Sequence, residues 1–179
     1  MSVCIVSFSS RKNGNCSQIG EFIKSLLPDA TLYDFANFSI NACGNCVYQC
    51  FNGGSNCPFF ADKEYEILDA ITKSTITYFI VPNYCDFPCS NFFIFNERSL
   101  CYFQNNEKLL NTYLLVPKKF IIVSNSNLEN FKTAFVYHTN AKPEILCLST
   151  KKYGKGSVEG SLLTSKQAVD DLMNFLTEQ

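Results

Sequence analysis

Short apolar runs alternate with stretches that repeat apolar side chains every three or four residues, and this alternation continues along the whole chain. Residues 3–8 form an almost unbroken apolar run, the pattern of a strand covered on both faces in a parallel sheet. Ile19, Phe22, Ile23, Leu26 and Leu27 follow at helical spacing up to Pro28, and Asn15 with Gln18 three residues later reads as a capping box opening that helix. Residues 31–33 read as a weaker strand. Asp62 reads as the cap of a helix carrying Tyr65, Leu68 and Ile71, and residues 76–81 as a strand ended by Pro82. A helix over 91–101, a strand over 120–123, a helix over 128–136 and a strand over 145–148 complete the series. The last helix has Thr164 and Gln167 as a capping box and Val169, Leu172, Met173 and Leu176 as its apolar stripe. Strands alternating with helices require a parallel sheet with right-handed crossovers and helices on both faces.

Five such units predict an α/β fold of three layers, a flavodoxin-like five-stranded parallel sheet, in one domain over residues 1–179. At 46 % apolar and 17 % charged residues, the chain can close a core and is not a disordered, solvated one. The net charge is −1, and basic residues pair up only at Arg11-Lys12, Lys118-Lys119 and Lys151-Lys152, so a nucleic-acid phosphate track is not expected. No apolar stretch approaches the ~20 residues that span a bilayer, and the start lacks the features of a secretory signal. The expectation is a cytoplasmic protein in which ten cysteines serve as free thiols, redox groups or metal ligands. The single histidine, His138, excludes a multi-histidine metal centre and has no evident catalytic partner.

In open parallel sheets the ligand binds beyond the carboxyl ends of the strands, where the strand order reverses, so the loops after the first, third and fourth strands are the candidates. The first reads Ser9-Ser10-Arg11-Lys12-Asn13-Gly14-Asn15-Cys16-Ser17 and delivers the chain into a helix N-terminus. Backbone N–H groups, hydroxyls and two cations converge there, the way a phosphate is held.

These residues resemble the flavodoxin-fold NADPH-dependent FMN reductases and their iron-sulfur flavoprotein relatives, which often carry Gly-Ser-Pro-Arg-Lys-Asn-Gly-Asn-Thr after the first strand. Ser9 and Arg11 through Asn15 match; Phe8, Ser10 and Cys16 depart from the Gly, Pro and Thr of that pattern. The resemblance implies that Ser9, Arg11, Asn13, Asn15, Cys16 and Ser17 hold the FMN phosphate, with Ser17 or backbone amides replacing the missing threonine hydroxyl. After the third strand such proteins tend to read Pro-Val-Tyr and then, past a helix, Asp-Arg. This chain has Pro82-Asn83-Tyr84-Cys85-Asp86-Phe87, then Glu97-Arg98. By resemblance Pro82 through Phe87 lie along the flavin ring, Ser124 and Asn125 line its other side, and Arg98 is a structural or interface residue.

Cys43, Cys46, Cys50 and Cys57 match in outline a cysteine segment of the same relatives, where a compact run ligates a 4Fe-4S cluster. Four thiolates within fifteen residues suit such a cluster or a tetrahedral zinc. The spacing between the second and third cysteines is one residue too long, and structural thiols are the preferred reading. Gly154-Lys155-Gly156 with Gly160 reads as a mobile loop.

The resemblance implies an FMN oxidoreductase that takes hydride from NAD(P)H and passes it to a small acceptor such as a flavin, quinone, nitro or azo compound. It needs no acid–base residue of its own, and the assembly is a homodimer or homotetramer. Two alternatives stand beside it: a flavodoxin-like or iron-sulfur electron carrier, and a chain that keeps the fold without the flavin.

Overall fold

A computed structural model of the protein describes residues 2–44, 46–47, 49–51, 57–104 and 106–177. In chain order the elements are β1 (Val3–Ser7), α1 (Asn15–Leu26), β2 (Thr31–Asp34), α2 (Lys63–Lys73), β3 (Ile76–Tyr84), β4 (Phe87–Pro88), α3 (Ser90–Phe103), α4 (Glu107–Leu115), β5 (Lys118–Val123), α5 (Glu129–Thr133), β6 (Glu144–Leu148) and α6 (Lys166–Thr177), with single 3-10 turns at Gln49–Phe51, Ala134–Tyr137 and Leu162–Thr164. Five strands pair in parallel in the order β2-β1-β3-β5-β6, and the two-residue β4 pairs antiparallel with the end of β3. The order reverses between β1 and β3, which opens a crevice at their carboxyl ends.

The unbroken apolar runs follow from a sheet covered on both faces. Val6, Phe8, Phe79, Val81, Phe120 and Ile122 face a core shared with α2, α3, α4 and α5. Their neighbours Ile5, Tyr78, Ile80, Ile121 and Val123 face a second core shared with α1 and α6. Alternation of period two along each strand thus serves two layers, and both sets of side chains are apolar.

Several local expectations change. Pro82 does not end its strand; β3 continues to Tyr84, with Pro82 opposite Val123 of β5. Ile80 O accepts from Phe8 N, so Ile80 and Pro82 both turn their backbone groups toward β1, which has ended by that level, and no N–H is needed at Pro82. Asn15 does not cap α1: Gly14 is the N-cap and makes no side-chain cap bond. The residue flanking α6 is Ser165, whose Oγ accepts from Ala168 N, while Thr164 Oγ1 donates back to Ser161 O. The helix expected over 128–136 is shorter and tightens into a 3-10 turn. Asn106 caps α4, an element the apolar pattern did not announce, by accepting from Leu109 N at 3.1 Å. β5 begins two residues early with the buried Lys118 and Lys119. Lys118 donates to Tyr113 O and Val116 O at the carboxyl end of α4, where a cation is favoured, and Lys119 pairs with Glu144 at 3.1 Å. Asp62 caps α2 as expected.

No helix among the described residues is long and apolar enough to cross a membrane.

Candidate functional site

A cleft of about 300 Å³ opens at the carboxyl ends of β1, β3 and β5. Its floor is the β1–α1 loop. Ser9 is buried and its Oγ accepts from Arg11 N at 3.2 Å, which turns the chain; Asn13 takes the left-handed conformation at φ 56°, and Gly14 then starts α1. Gln18 N is the first amide to find an intrahelical partner, at Gly14 O, so the amides of Asn15, Cys16 and Ser17 have none within the helix. Arg11 also lines the cleft and forms no ion pair among the described residues.

One wall is the end of β3 with Pro82, Asn83, Tyr84 and Cys85; the opposite wall is Val123, Ser124, Asn125 and Ser126 after β5. Asn83 joins them, its Nδ2 donating to Ser124 Oγ at 2.6 Å, Ser126 Oγ at 3.0 Å and Asn127 O at 3.0 Å. Its Oδ1 is buried and has no hydrogen-bond partner among the described residues. Tyr84 is half exposed at the rim, its phenol pushed up by burial against the opposing pull of the Arg11 cation. Tyr84 pairs with Phe87 in register, so Cys85 and Asp86 form a two-residue hairpin loop with φ 52° and 71°. That is the backbone of a type I′ turn, which costs residues bearing a Cβ roughly 1–2 kcal/mol each. Asp86 holds the turn in place by accepting from Asn130 N and Nδ2 of α5 at 3.3 and 3.0 Å.

Of the residues expected to bind a cofactor, Ser9, Arg11, Asn15, Cys16, Pro82, Asn83, Tyr84, Cys85, Ser124 and Asn125 line the cleft. Asn13, Ser17, Asp86 and Phe87 do not. Ser17 Oγ donates to Arg11 O at 3.2 Å and shapes the loop, Asn13 O accepts from Gln18 Nε2, and Asp86 and Phe87 serve the hairpin. Asn15 is a cleft residue whose side chain is committed elsewhere: Nδ2 donates to Gly156 O and Ser157 O, and Oδ1 accepts from Leu162 N. Thr150, Ser157 and Val158 also line the cleft, and sequence reasoning missed them. The glycines around them signalled a loop without saying where it docks.

Phe8 is absorbed by packing. Its ring meets Phe35, Phe79, Phe92 and Phe95 at centroid distances of 5.1–5.5 Å. Cys16 is buried in the first turn of α1; burial, with Cys89 and Asp34 adding to it, raises its thiol pKa, so the group stays neutral.

None of Cys43, Cys46, Cys50 and Cys57 lines the cleft. Cys43 is exposed, Cys46 half-buried, Cys50 and Cys57 buried, while residues 45, 48 and 52–56 fall outside the described set. Among the described residues no group of three or more His, Cys, Asp or Glu side chains is gathered to hold a metal ion. Glu97 and Arg98 anchor this segment to α3. Glu97 accepts from Cys43 N at 2.9 Å; the buried Arg98 guanidinium donates to Asp62, Asn41 O, Phe59 O and Cys57 Sγ. Glu64 lies 3.0 Å from Arg98 Nε but off the N–H direction, an ion-pair contact without a hydrogen bond. One cation therefore serves two carboxyls. Burial raises the Glu64 pKa to about 9 against the pull of Arg98, and hydrogen bonds led by Arg98 lower Asp62 despite its burial. His138 is a core residue, 2.7 Å from the Tyr113 hydroxyl through Nδ1.

Solved structures superpose on the whole chain. The Trp repressor binding protein of Bacillus subtilis aligns over 100 % of this chain and 99 % of its own with a TM-score of 0.64 at 15 % identity. The fold is flavodoxin-like. FerB of Paracoccus denitrificans, a flavoenzyme NAD(P)H:(acceptor) oxidoreductase, aligns over 98 % and 96 % with a TM-score of 0.56 at 12 % identity. The FMN-dependent NADH-azoreductase of Bacillus anthracis, solved in complex with FMN, aligns over 98 % of both chains with a TM-score of 0.60 at 10 % identity. At such identities the flavodoxin-like fold is what is shared. No family model matches the chain, and no curated protein matches it by sequence.

Proposed function

We propose that the chain is an FMN-binding oxidoreductase that takes reducing equivalents from NAD(P)H and delivers them to a small acceptor such as a quinone, nitro, azo or free flavin compound. The observation that carries this reading is the cleft itself. Its floor offers unpaired helix N-terminal amides and Arg11 to an anion, and its upper end holds a buried Asn83 Oδ1 that lacks a donor. A molecule with a phosphate at one end and an N–H on a flat ring at the other meets both needs, and FMN is such a molecule.

Ser9, Arg11 and the amides of Asn15 and Cys16 would hold the phosphate; Pro82 through Cys85 and Ser124 through Ser126 would flank the ring. When bound, FMN supplies a two-electron centre reducible by a nicotinamide and reoxidised by the acceptor. No carboxylate or imidazole lines the cleft among the described residues, so the protein's part is to bind, orient and exclude water. The neutral Cys16 thiol keeps negative charge away from the phosphate end. The exposed Tyr84 at the rim leaves room for a second flat molecule to approach. The electron-carrier alternative draws no support from the charge: −1 gives little steering toward a basic partner.

The test is a visible spectrum of anaerobically purified, FMN-loaded protein before and after NADPH. Bleaching of the flavin band by NADPH and its return on adding a quinone support the reading. An FMN-loaded protein that neither NADPH nor NADH bleaches contradicts the enzyme and leaves the carrier.

A further inference from the structure

The segment between β6 and α6 is pinned at two buried points. Tyr153 is 8 % exposed and its hydroxyl donates to Asp171 of α6 at 2.7 Å; Leu162 is fully buried and its N–H is received by Asn15 Oδ1 at 3.0 Å. Between these pins lie Gly154, Gly156 and Gly160, with Gly154 and Gly160 at φ 63° and 65°. Ser157, Val158 and Glu159 are exposed, and Ser157 and Val158 nevertheless form a wall of the cleft.

What holds this stretch down comes from the ligand-facing loops. Asn15, in the first turn of α1, donates to Gly156 O at 3.4 Å and Ser157 O at 3.2 Å. Asn125, in the loop after β5, donates to Ser157 Oγ at 2.6 Å and Thr150 Oγ1 at 2.7 Å and accepts from Lys151 N at 2.9 Å. Gly160 sits so tightly on the β1–α1 loop that a Cβ there would lie 2.2 Å from Asn13 O.

We propose that residues 154–161 form a clasp on the cleft, latched by Asn15 from the phosphate loop and by Asn125 from the opposite wall, which opens to admit FMN and is held shut by it. Asn15 is then a positioning residue: it sets the clasp, and the amide at its own N–H remains for the phosphate. Because the latches belong to the same loops that face the ligand, seating the ligand fixes the latches and opening the clasp frees the ligand. The clasp rests on the FMN reading of the cleft.

Limited trypsin digestion reads the clasp directly, because Lys155 lies within it, and Lys108 of α4 is a distant exposed reference. With FMN at ten times its Kd, an opening that cannot retain ligand is suppressed about tenfold, so cleavage after Lys155 slows by about that factor while cleavage after Lys108 is unchanged. In the ligand-free protein, Asn15→Ala removes three hydrogen bonds and speeds cleavage after Lys155 about tenfold or more. Gly160→Val, which leaves Asn15 in place, acts in the same direction by lifting the clasp off Asn13. FMN that binds, seen by quenching of its fluorescence, without slowing cleavage after Lys155 overturns the clasp and leaves the cofactor reading standing. Failure of FMN to bind the wild-type protein overturns both. Equal changes at Lys155 and Lys108 would mean global unfolding and would also overturn the clasp.

Discussion

Asn83 Nδ2 lies 2.6 Å from Ser124 Oγ, a side-chain bond that joins the carboxyl ends of the neighbouring strands β3 and β5 across the cleft. Further bonds to Ser126 Oγ and Asn127 O fix the amide's orientation and leave Oδ1 as the unpaired end. Asn83→Ala removes the tie and the acceptor together. At about 1 kcal/mol per hydrogen bond, FMN affinity falls about tenfold or more, measured by fluorescence titration. An unchanged Kd would remove Asn83 from the ring site.

Arg98 is the pin of the cysteine segment. Arg98→Met leaves the Asp62 carboxylate without its cation beside a buried site, a loss of about 3–5 kcal/mol, read as a drop in the urea midpoint. A loss under about 1 kcal/mol, the worth of an exposed pair, would contradict the buried-pair account.

The buried His138 makes stability depend on pH. Burial, with the nearby Lys118 charge adding to it, lowers its pKa from 6.5 to about 3. The unfolded chain therefore binds this proton between pH 6.5 and about 3 while the folded chain does not, and stability falls as pH falls through that window. Relative to His138→Gln, the wild type loses about 1.4 kcal/mol per pH unit below about pH 6. Urea unfolding of both proteins at pH 7, 6 and 5 checks this; parallel curves would show that the imidazole titrates normally.

Cys16 stands where the resembled family has threonine, and its thiol is a weak donor. Cys16→Ser keeps the shape and puts a hydroxyl at a residue that lines the cleft, so FMN binds about fivefold tighter, the worth of one hydrogen bond of about 1 kcal/mol. Weaker binding in the serine protein would place the phosphate elsewhere.

The sequence made the architecture legible because each strand had to be apolar on both faces, so residues such as Phe79 and Ile80 announced a covered sheet. The β1–α1 loop was legible as a cleft-lining turn because a polar stretch led from a buried strand into a helix. Three features were not. α4 was hidden because it is short and Tyr113 is its one fully buried side chain. Asn15 looked like a cap because its spacing to Gln18 fits a capping box, yet its partners lie more than 140 residues away, a separation no local pattern encodes. The glycine-rich stretch at 154–160 read as a mobile loop, and its role as a cleft wall depends on the same long-range contacts.

Equilibrium titration of the flavin-free protein with FMN and, separately, with riboflavin tests the central claim most directly, because it asks whether this cleft binds a ring and a phosphate together. The account predicts saturation at one FMN per chain, with riboflavin bound at least about tenfold more weakly for want of the phosphate that the α1 amides and Arg11 receive. Equal affinity for the two would contradict the phosphate site, and no binding of either would contradict the flavin cleft altogether.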